Sequence, residues 1–136
     1  MLSNRVRIGI YKSLKEDLIN PNRYIFRNYD NSITIQGNTL KIVSVGNELG
    51  GYIVPVEAGK SYRITFNYTG SLATNRLLPY STYPTDVLNY IEPILNGFNS
   101  GTTWTCPNGI SHIMIGAYAS GIATFSNIVV EKIDIM

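Results

Sequence analysis

The chain has 136 residues, enough for one domain with its own core and too few for two. A net charge of +2 excludes the basic footprint that nucleic acid requires, and an apolar fraction of 44% excludes disorder as the default state. The lone Cys106 and the lone His112 rule out an internal disulfide and a thiolate metal cage, and they leave few parts for acid–base chemistry.

At the N-terminus, Val6, Ile8 and Ile10 alternate with Arg5, Arg7 and Gly9, which predicts a short strand. Ser13-Leu14-Lys15-Glu16 has capping-box spacing, with Leu14 and Leu18 one helical turn apart, and Asn20-Pro21-Asn22 ends the segment. Residues 1–22 therefore read either as a docking arm or as the first strand and turn of the domain formed by residues 23–136. The first residues lack the long apolar stretch of a secretory signal, so the expectation is assembly in the cytoplasm or an excised module. Apolar runs are all too short for a membrane span.

From residue 23 onward strands and turns alternate. Ile33–Gln36 is a strand, Gly37-Asn38 a turn and Leu40–Val45 the return strand. Gly50-Gly51 is expected to break the chain before a further strand over 52–56. The turn Glu57-Ala58-Gly59-Lys60 leads into the clearest strand, with Tyr62, Ile64, Phe66 and Tyr68 on one side and Arg63, Thr65, Asn67 and Thr69 on the other. Residues 72–80 read as extended, with Pro79 marking an edge or a bulge. A loop rich in Tyr, Pro and Asn spans 81–100, with a helical turn or short strand expected between Asp86 and Leu95. Strands over 101–106, 110–118 and 122–134 follow, with Ala119-Ser120-Gly121 as the last turn. No convincing helix lies beyond residue 22. About nine short strands at this spacing predict an all-β, antiparallel sandwich or barrel.

Parity along the strands sorts the remaining aromatic and polar groups. Trp104 shares a face with Cys106, which favours the core for both. His112, Met114 and Tyr118 share the face opposite Ile113, Ile115 and Ala117, so His112 and Tyr118 are expected to look outward. The abundance of tyrosine (ten, against four Phe and one Trp) suits a surface that recognises polar ligands.

Three phrases carry a family resemblance. Val54-Pro55-Val56-Glu57-Ala58-Gly59-Lys60-Ser61-Tyr62-Arg63-Ile64-Thr65-Phe66 has a small-Gly-Lys turn followed by Tyr-x-aliphatic-x-Phe. Thr103-Trp104-Thr105-Cys106-Pro107-Asn108-Gly109-Ile110 has the form of a penultimate hairpin, and Phe125-Ser126-Asn127-Ile128-Val129-Val130-Glu131-Lys132 that of a final strand. In this order they resemble the carbohydrate-binding-module-like jelly-roll domains found in tail, baseplate and side-fibre proteins of phages of Gram-positive hosts and in modules attached to glycoside hydrolases, and the lack of a secretory signal favours the phage version. The resemblance covers roughly residues 30–134. It implies a jelly-roll sandwich of the galactose-binding kind, located in a virion tail or outside the cell. It also implies a saccharide ligand, no cofactor and no catalysis. Repetition in a symmetric homo-oligomeric assembly would supply avidity.

Saccharide recognition needs flat apolar rings against sugar C–H groups and planar polar groups for hydroxyls. The candidate ligand-binding residues are Arg76, Tyr80, Tyr83, Asp86, Asn89 and Tyr90 around the longest loop, where function concentrates. Packing of that loop onto the sandwich explains the same tyrosines equally well. Arg63 and Asn67, on the polar stripe opposite the Tyr62 face, are further candidates, although such a stripe is more often plain solvated surface. No catalytic pair of carboxylates, nucleophile elbow, phosphate loop or zinc spacing stands out. The alternative function is a structural adaptor in a virion tail, with residues 1–22 docking to neighbouring tail or baseplate proteins by strand addition or as a short amphipathic piece.

Overall fold

The computed structural model describes residues 11–13, 17–27, 33–70 and 73–135. The expected strand at Val6–Ile10 and the middle of the expected capping box, residues 14–16, lie outside them. Among the described residues there are nine strands and no helix: β1 Tyr11–Ser13, β2 Tyr24–Arg27, β3 Ile33–Gln36, β4 Thr39–Pro55, β5 Ser61–Gly70, β6 Ala73–Tyr80, β7 Leu95–Asn96, β8 Thr102–Thr105 and β9 His112–Ile135. Accordingly, none of them forms a helix long and apolar enough to cross a membrane.

All pairings are antiparallel, and together they make two sheets of five strands, a β-sandwich. The first sheet has the order β2–β4–β9–β6–β7 and uses Glu48–Pro55 of β4 and His112–Ala119 of β9. The second has the order β3–β4–β9–β5–β8 and uses the first part of β4 and β9 from Gly121 onward. The two longest strands thus belong to both sheets. β1 lies on Ile133–Ile135 of β9, and residues 17–19 follow β9 as well. There the Leu18 amide donates to the Val130 carbonyl (2.7 Å), and Asp17 Oδ1 accepts from the amides of Ile19 (3.0 Å) and Val130 (3.1 Å).

Three local expectations are corrected by this arrangement. Ser13 is the last residue of β1 and residues 17–20 hold no helical turn, while the first turn of the expected helix, residues 14–16, lies outside the described residues. Gly50-Gly51 does not break β4. Both glycines stay in the ladder, because a Cβ on Gly51 would run into the Ile115 carbonyl and one on Gly116 into the Gly50 carbonyl. These glycines permit a close approach of two backbones, not a reversal. Nor is Ala119-Ser120-Gly121 a turn. With Gly121 at φ 112, the strand bends and carries β9 from one sheet to the other.

The main core fills the space between the sheets. Tyr52, Val54, Ile113, Ile115, Ala117 and Leu77 come from the first sheet, and Leu40, Ile42, Tyr62, Ile64, Phe125 and Val130 from the second. The alternation read from the sequence holds here: Tyr62 and Ile64 are buried, as are Ile113 and Ile115. Trp104 packs against this core, with its ring 6.2 Å from that of Tyr62, and Cys106 is buried, which pushes its thiol pKa up. A second apolar cluster lies on the outer face of the first sheet, where Leu49, Leu78, Tyr80 and Met114 are covered by Val87, Tyr90 and Ile94 of the 81–94 loop. This loop acts as a partial third layer. Between Asp86 and Leu95 it forms a single hydrogen-bonded turn, with the Asn89 amide on the Asp86 carbonyl, and no helix; the short strand β7 begins only at Leu95.

Candidate functional site

The residues proposed from the sequence fall on two separate surfaces. Tyr80 is almost fully buried, and its hydroxyl donates to the Val87 carbonyl at 2.8 Å, so it ties the loop to the sheet. Tyr90 packs on the same cluster. Asp86 turns the loop by accepting the Leu88 amide on Oδ1 (2.9 Å), and its carbonyl accepts the Asn89 amide (3.0 Å), while both side chains stay exposed. Arg76 lays its guanidinium 4.9 Å from the centre of the Tyr118 ring, a cation–π contact on the outer face of the first sheet. Tyr83 is exposed and sits with its edge toward His112 at 5.3 Å. Arg63 lies on the second sheet, opposite Glu131 on one side and Thr103 on the other. Of the eight, Asn67 alone lines the larger cleft described next.

That cleft is created by a bulge. Thr65 pairs with Val129 and Asn67 with Ser126, so Asn127 and Ile128 of β9 together oppose Phe66 of β5. Asn127 takes φ 54, a left-handed value that Asn tolerates better than most residues. At this bend Phe66 and Tyr68 meet Phe125 of β9, with ring centroids 5.9 and 4.8 Å away. Phe98, from the segment between β7 and β8, approaches Phe66 edge-on at 5.8 Å.

The segment carrying Phe98 is clamped between the two sheets. Asn75 Nδ2 on β6 donates to the Phe98 carbonyl, and the Gly97 amide returns a bond to the Asn75 carbonyl at 2.9 Å. On the other side, the Phe66 amide donates to Ser100 Oγ (2.9 Å) and the Gly101 amide to the Ile64 carbonyl (2.8 Å). The result is an open cleft of about 570 Å³ between β5 of one sheet and β6–β7 of the other.

Its lining is aromatic and neutral polar. Phe66, Tyr68, Phe98 and Phe125 supply rings, and Asn67, Asn75, Asn99 and Ser100 supply hydrogen-bonding groups. Among the described residues no Asp, Glu, Lys, Arg or His lines it. Among the described residues the side-chain amides of Asn67 and Asn99 make no hydrogen bond, and both residues are exposed. Asn99, on the segment that closes the cleft, offers a planar donor and acceptor to a ligand. The Ser100 hydroxyl, which accepts from Phe66, still has its proton to donate. Tyr68 is 40% exposed, so its ring is half available for stacking.

No protein-family model matches this chain, and no curated protein matches it. Among the described residues no three His, Cys, Asp or Glu side chains gather as they would around a metal ion.

Asn67 was legible as a candidate from its place on the polar stripe. Tyr68, Phe98 and Asn99 were not. The signal that could have found them is the run Gly97-Phe98-Asn99-Ser100, which puts an aromatic ring and an amide together in a loop just as the 80–90 segment does.

Proposed function

We propose that this chain is a non-catalytic carbohydrate-binding module and that the cleft between β5 and β6–β7 holds the saccharide. The supporting observation is the lining itself: a half-exposed Tyr68 ring with Asn99 and Ser100 in the same cleft, and no charged side chain among the described residues. A neutral polyol fits such a surface. Its C–H faces lie on the rings, and its hydroxyls meet amides that would otherwise bond only to water. An anionic or cationic ligand would find no counter-charge there. The described residues of the lining include no pair of carboxylates of the kind glycosidic cleavage uses.

The three phrases that resemble jelly-roll domains of phage tails and baseplates favour a place on a virion tail, with cell-wall saccharide of a Gram-positive host as the ligand. An open, wet cleft of this size gives weak single-site affinity, so adhesion would depend on repetition within the particle.

The test is binding of the purified chain to cell-wall polysaccharide and to an array of neutral oligosaccharides, repeated with Tyr68→Ala and Asn99→Ala. Both positions are exposed, so folding survives either change. Each variant is expected to lose about tenfold in affinity, the scale of one well-placed contact. Variants that bind as tightly as the parent would remove the cleft from consideration. A parent chain that binds no saccharide, even when displayed multivalently, would leave the protein-docking adaptor as the better reading.

A further inference from the structure

A second depression, of about 350 Å³, opens where residues 18–23 run beside the end of β4 and the start of β9. None of its lining residues belongs to the aromatic cleft. Leu18, Ile53 and Pro55 form an apolar wall, and the polar side is made by Asn20, Arg23, Tyr83 and His112.

Arg23 and Asn20 can donate into it, and His112 donates from Nε2 once protonated. The Arg23 guanidinium carbon lies 5.9 Å from the centre of the Tyr83 ring, and that ring is edge-on to His112. Among the described residues Arg23 has no carboxylate partner, and no Asp or Glu lines the depression. Asn20 Oδ1 already accepts the Asn22 amide (2.9 Å), which leaves the Asn20 NH₂ free to donate. A hydrogen-bond chain orients His112. The Ser111 hydroxyl gives its single proton to the Ser81 carbonyl (2.9 Å), so toward His112 Nδ1 (2.8 Å) it can only accept. The imidazole proton therefore sits on Nδ1, and Nε2 remains the protonatable nitrogen.

We infer that this depression binds the anionic oxygens of a small ligand, a carboxylate or a phosphate carried on a compact apolar body. Arg23 supplies the fixed charge and the fork of donors, and Asn20 adds a further donor. Leu18, Ile53 and Pro55 receive the body. The site takes a ligand class that the neutral cleft excludes, and it stands whether or not that cleft binds saccharide.

Proton uptake accompanies binding. The groups facing His112 are Arg23 from ahead of β2, Tyr83 from the loop, Tyr80 from β6 and Pro55 from β4, and of these Arg23 is the charged one. Burial first, and Arg23 second, hold the His112 pKa below 6.5. An anion beside Arg23 offsets the second cause, raises the His112 pKa and makes binding tighter as pH falls from about 7.5 to 5.5.

The experiment is a nuclear magnetic resonance titration of the full chain with benzoate and the neutral analogue benzyl alcohol at both pH values, and with phenyl phosphate at the higher one. The His112 ring and Arg23 side-chain signals are expected to shift with at least one anion and not with benzyl alcohol at equal concentration. The tighter anion identifies the preferred group. Arg23→Gln should weaken that anion about tenfold, the scale of one charge-assisted pair. With benzoate, which stays ionised over this range, His112→Gln should keep binding and abolish its pH dependence; phenyl phosphate, whose own second ionisation lies at about 6, is compared at pH 7.5 only. Equal shifts with benzyl alcohol, no shift with any probe, or unchanged anion affinity in Arg23→Gln would each overturn the inference. Saccharide binding measured on Arg23→Gln should match the parent, which separates this site from the aromatic cleft.

Discussion

Tyr80→Phe separates a structural from a ligand-binding role for the most conspicuous tyrosine near the long loop. The substitution keeps the ring, which is 1% exposed, and deletes the hydroxyl that donates to the Val87 carbonyl at 2.8 Å. Val87 is itself 2% exposed, so water cannot easily replace the lost donor. Orphaning a buried acceptor costs about 1–3 kcal/mol, and the lower half of that range suits a site near the loop margin, where some relaxation is available. With a urea dependence of roughly 1.5 kcal/mol per molar for a domain of this size, the unfolding midpoint should fall by about 1 M. Urea unfolding followed by Trp104 fluorescence reads this directly. Saccharide affinity should stay at the parental value, because Tyr80 does not line the aromatic cleft. A variant within about 0.3 kcal/mol of the parent would refute the anchoring role. A variant of parental stability that no longer binds saccharide would return the ligand site to the loop.

Two further substitutions probe other parts of the fold. Gly116→Ala forces a Cβ against the Gly50 carbonyl in the centre of the first sheet, and should cost about 2–4 kcal/mol, seen as a fall of roughly 10 °C or more in Tm; a shift of less than 2 °C would show that the backbones do not approach so closely. His112 has a folded-state pKa below its unfolded value of 6.5, so the folded chain binds fewer protons than the unfolded one. Its contribution to stability is complete above the unfolded value and is lost as pH falls through the folded value. His112→Gln should therefore show a shallower loss of unfolding free energy between pH 7.5 and 5 than the parent, and parallel curves would refute the assignment.

Much of the sandwich was legible because side chains alternate with a period of two. Tyr62 and Ile64, and likewise Ile113 and Ile115, face the dry interior as their parity requires. The outward parity of Met114 was also read correctly, yet Met114 is fully buried. Its outer face is dry because the 81–94 loop folds back over it, and no local pattern states where a loop will lie. The same loop absorbs Tyr80 and Tyr90 into a core of its own, whereas Tyr83 remains exposed. Glycine misled for a related reason. Gly50, Gly51 and Gly121 carry the composition of turns, but in the fold they allow backbones to touch or a strand to bend. Most of the aromatic cleft was invisible because its parts are remote in sequence. Phe66, Phe98 and Phe125 are joined by a bulge and by hydrogen bonds to a loop, and those follow from pairing register instead of local composition.

Because β4 and β9 each run through both layers, the sandwich has no seam along which its halves could part. A single covalent ribbon, β9, leads from His112 beside the anion depression to Phe125 in the aromatic cleft. Any tension applied to one end of the domain is thus carried by continuous backbone into the other.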